Sequence, residues 1–278
     1  MSRIESVSML SIVFMAVTAV LALLVPIAAV IFMGVKKRLN WKALLFGALL
    51  FVVFALVLER ILHMLVLGSN PIQSAIYQKP ALYVLYGGFA AGIFEETARL
   101  LGFKFLIRVR ENESLDTGIS YGLGHGGIEA VLLGGLAAIS NLVTSVMLNA
   151  GLLKGMTATM NAQQLETFNQ GINSLVSLPS HMFLISGVER MIALVLQVAL
   201  SVFVLKAVVE KKWLYFAYAI LIHAGVDMIA VLYQRGYIFK DIFLMEGIIL
   251  LITIAVAFAA FKIYKRKVPE PAGQVSPE

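Results

Sequence analysis

The chain has 278 residues, 60% of them hydrophobic, and a mean hydropathy of +0.91, which defines an integral membrane protein with no room for a separate soluble domain. Its net charge of +6, from 22 Lys and Arg against 16 Asp and Glu, does not point to nucleic acid, because the basic residues sit at segment ends where membrane topology accounts for them. The absence of cysteine excludes a thiol nucleophile, a thiolate metal site and disulfides.

Apolar periodicity predicts an all-α polytopic transmembrane bundle of seven spans. The first runs from about Val7 to Val35, far longer than a signal-peptide core, with Pro26 as a candidate kink. The second, Trp41 to Leu67, carries Glu59, Arg60 and His63. The third, residues 81–107, holds Glu95, Glu96 and Arg99 at mid-span, and ionisable groups there cost about 2.5–3.5 kcal/mol each. The fourth begins near Thr117, contains SYGLGHGGIEAVLLGG and stays apolar to about Leu153, so residues 140–153 are a candidate for an eighth span. The longest polar stretch, about Lys154 to Ser180, follows. Spans five (Met182 to Val209), six (Trp213 to Tyr233) and seven (Ile242 to Tyr264) carry Glu189–Arg190, HAGVD and no further marked motif. Residues 1–267 are expected to form one transmembrane domain, and the Pro-rich residues 268–278 a disordered tail.

With seven spans, one side collects Lys36, Lys37, Arg38, Lys42, Lys104, Arg108, Arg110, Lys206, Lys211, Lys212, Lys262, Lys265, Arg266 and Lys267. The other collects Arg3, Lys79, Lys154, Arg235 and Lys240. This 14-to-5 split predicts an N-terminus outside and a cytoplasmic C-terminus, and an eighth span would break it downstream. At about 1.5 Å of rise per residue, Glu95, His125, Glu129, His223 and Asp227 fall in one layer, roughly 12–20 Å from the cytoplasmic face. Glu59, Arg60, Glu189 and Arg190 fall nearer the outer half.

Glu95 and Glu96 lie four and three residues before Arg99, so either can pair with it on one helix face. One ion pair explains a single glutamate and leaves the second without a local cation, which suits a general base. Tyr121, His125 and Glu129 share a face at i, i+4 and i+8, as do His223 and Asp227 at i, i+4. The glycines at 122, 124, 126 and 127 allow close helix approach or open a pocket for water. Glu59–Arg60 and Glu189–Arg190 are adjacent and pair poorly within their own helices, so they are expected to clamp the bundle across helices. His63 and His181 are expected to be structural. No H-E-x-x-H or G-x-S-x-G is present, and Asp227 is the one aspartate deep in a span, which removes a two-aspartate dyad.

FEETARL, YGLGH and HAGVD, in this order on three spans, resemble the CAAX prenyl protease and bacteriocin-processing family of intramembrane proteases. EETAR with GHGGIEA and the ER pair of the fifth span resembles its bacterial YhfC branch, over about residues 59–233. The resemblance implies a multi-pass bacterial membrane endopeptidase acting on a peptide or membrane-protein substrate at or within the cytoplasmic half of the bilayer. It implies Glu95 as the base that activates water, with His125 holding that water. His223 and Asp227 would stabilise the oxyanion, and Glu96 and Arg99 would order the site. Tyr121, Glu129, Glu189 and Arg190 would support it. In this chain Arg99 follows the glutamate pair after two residues rather than three, and Asp227 stands where many relatives have Asn. A metal-free mechanism is expected, because adjacent glutamates and an arginine add competing charge beside a metal. Zinc held by Glu95, His125 and His223 is the alternative. A proton-coupled transporter, since intramembrane acids and histidines also serve proton relays, and a non-catalytic membrane protein are the readings of other classes. Oligomeric state and substrate identity do not follow from the sequence.

Overall fold

The structure is a computed structural model that describes residues 6–68, 71–106, 113–153, 157, 159–238 and 240–265. The expected tail, 268–278, lies outside the described residues. Among them the chain folds as helices only: α1 (Met9–Val35), α2 (Trp41–Val66), α3 (Pro71–Gln78), α4 (Pro80–Leu106), α5 (Leu115–Asn149), α6 (Ala162–Ser177), α7 (Ser180–Glu210), α8 (Trp213–Gln234) and α9 (Ile242–Lys265).

Six of these, α1, α2, α5, α7, α8 and α9, are long and apolar enough to cross a membrane. The seventh expected span, α4, has 27 residues, the same length as α1. Its charged residues lower its hydropathy, and it is packed between α8, α2 and α7. Residues 140–153 add no eighth span, because α5 continues unbroken to Asn149. Within the polar stretch before α7, Ala162–Ser177 form a helix: Asn161 and Gln164 make a reciprocal capping box at the start of α6, and Ile172 and Leu175 on one face are buried.

Local chemistry starts the helices where the apolar runs begin. Ser8, Asn40 and Ser114 each accept a bond from the backbone N–H three residues on. Pro26 does not end α1; it is buried and packs beside Gly127. Two helices widen into π turns, α2 over Val52–Glu59 and α5 over Ala130–Gly135. Each turn abuts a buried carboxylate, Glu59 at the end of the first and Glu129 just before the second.

α7 is the central helix. Of its most apolar 18-residue stretch 72% is buried, against 28% or less in the other five apolar spans. Around it stand α1, α5, α4, α8 and α9, while Leu10, Val13, Val17, Val20, Leu24, Ile27 and Ile31 form an exposed stripe on α1 that suits lipid. Glycines set the closest approaches. A Cβ on Gly124 would strike the carbonyl oxygen of Leu44, and one on Gly47 would strike that of Tyr121 and lie 2.9 Å from the His125 nitrogen. A Cβ on Gly122 would lie 2.5 Å from the Val198 Cα. The space at Gly124 and Gly122 is therefore filled by the backbones of α2 and α7, that at Gly126 by the Gln197 and Leu194 side chains, and that at Gly127 by Pro26 of α1. These glycines do not open the pocket that was the alternative expectation.

Candidate active site

Three helices bring Glu95, His125 and His223 together because each presents its polar residues on its inner face. α4 supplies Glu95, Glu96 and Arg99, α5 supplies Tyr121, His125 and Glu129, and α8 supplies His223 and Asp227. Gly88 and Gly92 of α4 meet the Ala224 backbone of α8, one residue from His223, so the two helices touch at the level of the site.

Glu95 Oε2 is the meeting point. His125 Nε2 hydrogen-bonds it at 2.8 Å, the Gln197 amide donates to it at 3.0 Å, Arg99 Nη2 lies at 3.7 Å and His223 Nε2 at 3.8 Å. Glu96, fully buried, pairs with Arg99 Nη1 and hydrogen-bonds His223 Nδ1 at 2.7 Å. His223 Nε2 is thereby turned toward Glu95 and toward Asp227 Oδ2, 3.6 Å away. Such a carboxylate–histidine pair fixes ring orientation in many hydrolytic and metal sites. The Arg99 guanidinium is fully buried and, besides its longer ion pair with Glu95, hydrogen-bonds three partners: Glu96, the Gln197 carbonyl and, from Nε at 3.2 Å, Ser201 Oγ. The EETAR spacing thus serves a guanidinium that spans α4 and α7.

Tyr121 does not touch the acids. Its hydroxyl donates to the Ala98 carbonyl at 3.1 Å and its ring packs on Phe103, so it fixes α5 against α4 beside Arg99. Glu129 accepts from Arg190 Nη1 at 3.1 Å and from the Gln197 amide at 2.6 Å. Arg190 thus makes a cross-helix ion pair with Glu129, but it also pairs with its neighbour Glu189, contrary to the expectation that the adjacent residues would not pair within their own helix. The other clamp is not formed. Glu59 turns to His63 of its own helix at 3.2 Å, and Arg60 is exposed with no ion pair among the described residues. His63 Nδ1 hydrogen-bonds Tyr86 Oη at 2.7 Å, and His181 stacks on Phe243.

Gln197 is the site residue that the motif reading missed. It joins Glu95, Glu129 and Arg99, although it is a single amide in the apolar run MIALVLQVALSV. Its place seven residues after Arg190, on the same helix face, was the available signal.

Do these groups fit a metal ion? Glu95, His125 and Glu129 are buried and each offers one ligand atom, all within 4.8 Å of one another. Two carboxylates and an imidazole are a donor set that zinc accepts. Five acids of the constellation, Glu95, Glu96, Glu129, Glu189 and Asp227, face two guanidiniums, Arg99 and Arg190. A divalent cation would offset that formal excess, so the residues fit.

A buried carboxylate–imidazole centre shared by three helices of a polytopic bundle defines an intramembrane site, in a multi-pass membrane protein. The model of the family described as YhfC intramembrane metalloprotease matches residues 21–249. A relative named "Uncharacterized membrane protein YhfC", from Bacillus subtilis (strain 168), is 36% identical over 232 residues, 84% of this chain and 88% of that protein. No solved structure matches. The chain belongs to the YhfC intramembrane metalloprotease family. The expectation of a metal-free site finds no support in that family description or in the Glu95–His125–Glu129 group.

Proposed function

We propose that this protein hydrolyses a peptide bond of a membrane-associated peptide or protein, with Glu95, His125 and Glu129 holding a divalent cation, zinc by donor type. The observation that carries this reading is the convergence on Glu95 Oε2 of His125 Nε2 at 2.8 Å and His223 Nε2 at 3.8 Å, from separate helices, inside the bundle. A zinc ion held by these three residues would supply Lewis-acid polarisation of the scissile carbonyl. His223, oriented by Glu96 through Nδ1, carries a proton between water and the leaving amine through Nε2. Asp227, half-buried beside Nε2, orients the imidazole from the accessible edge. Arg99 holds the positions of Glu96 and Gln197, and Glu189–Arg190 holds Glu129. Residues 1–267 act as one transmembrane domain, with the N-terminus outside and the tail in the cytoplasm, as the 14-to-5 charge split supports. The shared order of EE…R, Y…H and H…D supports descent within the wider CAAX prenyl protease and bacteriocin-processing group.

A second reading keeps the same residues without metal, with Glu95 as the base toward water. It is favoured by one feature: Arg99 and the Gln197 amide already face the Glu95 oxygen that a cation would take. One experiment separates the two. Glu95→Gln abolishes cleavage with the helical fold retained in either case. In the metal form it also lowers zinc content, measured on purified protein, from about one ion per chain to a small fraction of that. Cleavage surviving in Glu95→Gln ends the hydrolase reading, and full activity in protein stripped of metal by a chelator ends the metal form.

A further inference from the structure

Glu246 has no place in the site just described. It lies in the first turns of α9, is 8% exposed, and neither carboxylate oxygen has a hydrogen-bond partner. A buried carboxylate without a partner is costly in any protein and more so in a membrane, so a missing partner is implied. Glu246 is within electrostatic reach of Glu189 and Arg190, and Arg190 is within reach of Asp227. Glu59, on α2, reaches Glu95, Asp227 and His223. These residues come from the end of α2, the start of α7, the end of α8 and the start of α9, which the helix order puts on one side of the bundle.

Exposure rises toward that side. The Glu96 and Arg99 side chains are wholly buried, whereas Asp227 is 34% accessible and Glu189 39%. Carboxylates mid-helix are costly against lipid, so the accessible acids on this side call for water or a cation beside them. In α7 the change is abrupt: nearly every residue from Leu196 to Ala207 is buried, while between Ser180 and Met191 only Phe183 and Gly187 are. That side of the bundle carries the acids Glu59, Asp227, Glu189 and Glu246 and the guanidinium of Arg190, which is paired with Glu189 and Glu129; Arg60, next to Glu59 in the chain, is exposed.

We propose that these acids line a water-filled cleft that is a cation-accepting subsite, in which Glu246, with Glu189 and Asp227, binds an ammonium or guanidinium group of the substrate segment beside the scissile bond. The subsite rests on the hydrolase reading for its substrate, and it puts substrate entry on the side opposite the basic loops. The positive group is the partner that the Glu246 oxygens lack, and an acidic cleft with apolar walls raises the local concentration of cations.

The chain has no cysteine, so single thiols report the cleft directly. Ser186 lies three and four residues before Glu189 and Arg190, on their face of α7, and Ser186→Cys changes no charge. In membranes, the rates at which a cationic and an anionic methanethiosulfonate modify Cys at 186 are compared. The cationic reagent is expected to react about tenfold faster. It should do so from the side that modifies a control Ser174→Cys on α6, not the side that modifies Lys37→Cys. Adding Glu246→Gln is expected to cut the preference several-fold, and Glu246→Asp to retain most of it. Ala230→Cys, three residues beyond Asp227 on its face of α8 and read with both reagents, gives a second reporter should Ser186→Cys fold poorly. Equal rates, an anionic preference, entry from the Lys37 side, or a preference untouched by Glu246→Gln would each overturn the subsite. The readout involves no peptide cleavage, so that result leaves the hydrolase reading standing, and loss of the hydrolase reading leaves this measurement interpretable.

Discussion

Gln197 does for this site what no ionisable residue can, because its amide both accepts and donates. Its carbonyl takes an Arg99 N–H while its NH2 serves Glu95 and Glu129, so one side chain keeps two carboxylates and a guanidinium in place. Gln197→Ala is therefore expected to cost several times the roughly 1–3 kcal/mol of a single orphaned buried group. In detergent it should lower the thermal unfolding midpoint and lower activity together, whereas Gln197→Glu adds a third carboxylate and should be worse than Ala. A midpoint unchanged in Gln197→Ala would show that the network relaxes around the loss. The acids and imidazoles of this network were legible in the sequence, because a charge inside an apolar run is costly enough to stand out. Gln197 was not, since a neutral amide disturbs the hydropathy pattern little, and neither was Glu246, because a lone acid near the start of a span reads as an end residue.

At the level of helices, contact between α2 and α5 depends on paired glycines rather than on side-chain interdigitation. Gly124 has the Leu44 carbonyl where a Cβ would stand, and Gly47 has that of Tyr121. Backbone cannot move aside as a side chain can, so Gly124→Leu must push the helices apart and should cost more than the typical 1–3 kcal/mol of overpacking. Because His125 follows Gly124 directly, the same change should move its imidazole from Glu95 and abolish activity. Gly171→Ala, at a position with nothing within 4 Å, is the matched control and should leave both properties unchanged. The glycines of YGLGHGG were visible in the sequence, but whether such residues admit a neighbouring helix or water depends on what lies opposite, which no spacing within one helix reveals. The short helices α3 and α6 escaped for a different reason. They are not apolar runs, and α6 is recognisable only through its capping box and one buried face.

For the molecule as a whole, polar and basic groups are divided between the two ends. The basic clusters gather where α1, α4, α7 and α9 end, while Glu59, Asp227, Glu189 and Glu246 lie toward the other end. If the charge split sets topology, Lys37→Cys should be modified only in inside-out vesicles and Ser174→Cys only in intact cells; the reverse pattern would invert the orientation. Six of the seven expected spans are long and apolar enough to cross a membrane. α4, which the sequence also marked as a span, is less apolar because it carries Glu95, Glu96 and Arg99, so the helix on which the site depends is the one composition identifies least well.

The π turn at Ala130–Gly135 gives α5 two different allegiances. Before it the helix packs on α2 and α7; beyond it Ala138 and Ser145 are buried and Ser145 Oγ reaches the Met15 sulfur of α1 at 3.5 Å. Wound as plain α-helix with one residue fewer, everything past Gly135 would swing by about 100°. The hydroxyl would then leave α1, and Glu129 would sit on a rod aligned with only one of its neighbours. The widened turn therefore acts as a swivel, letting a single 35-residue rod hold His125 and Glu129 against the buried acids at one level and anchor the first helix at another.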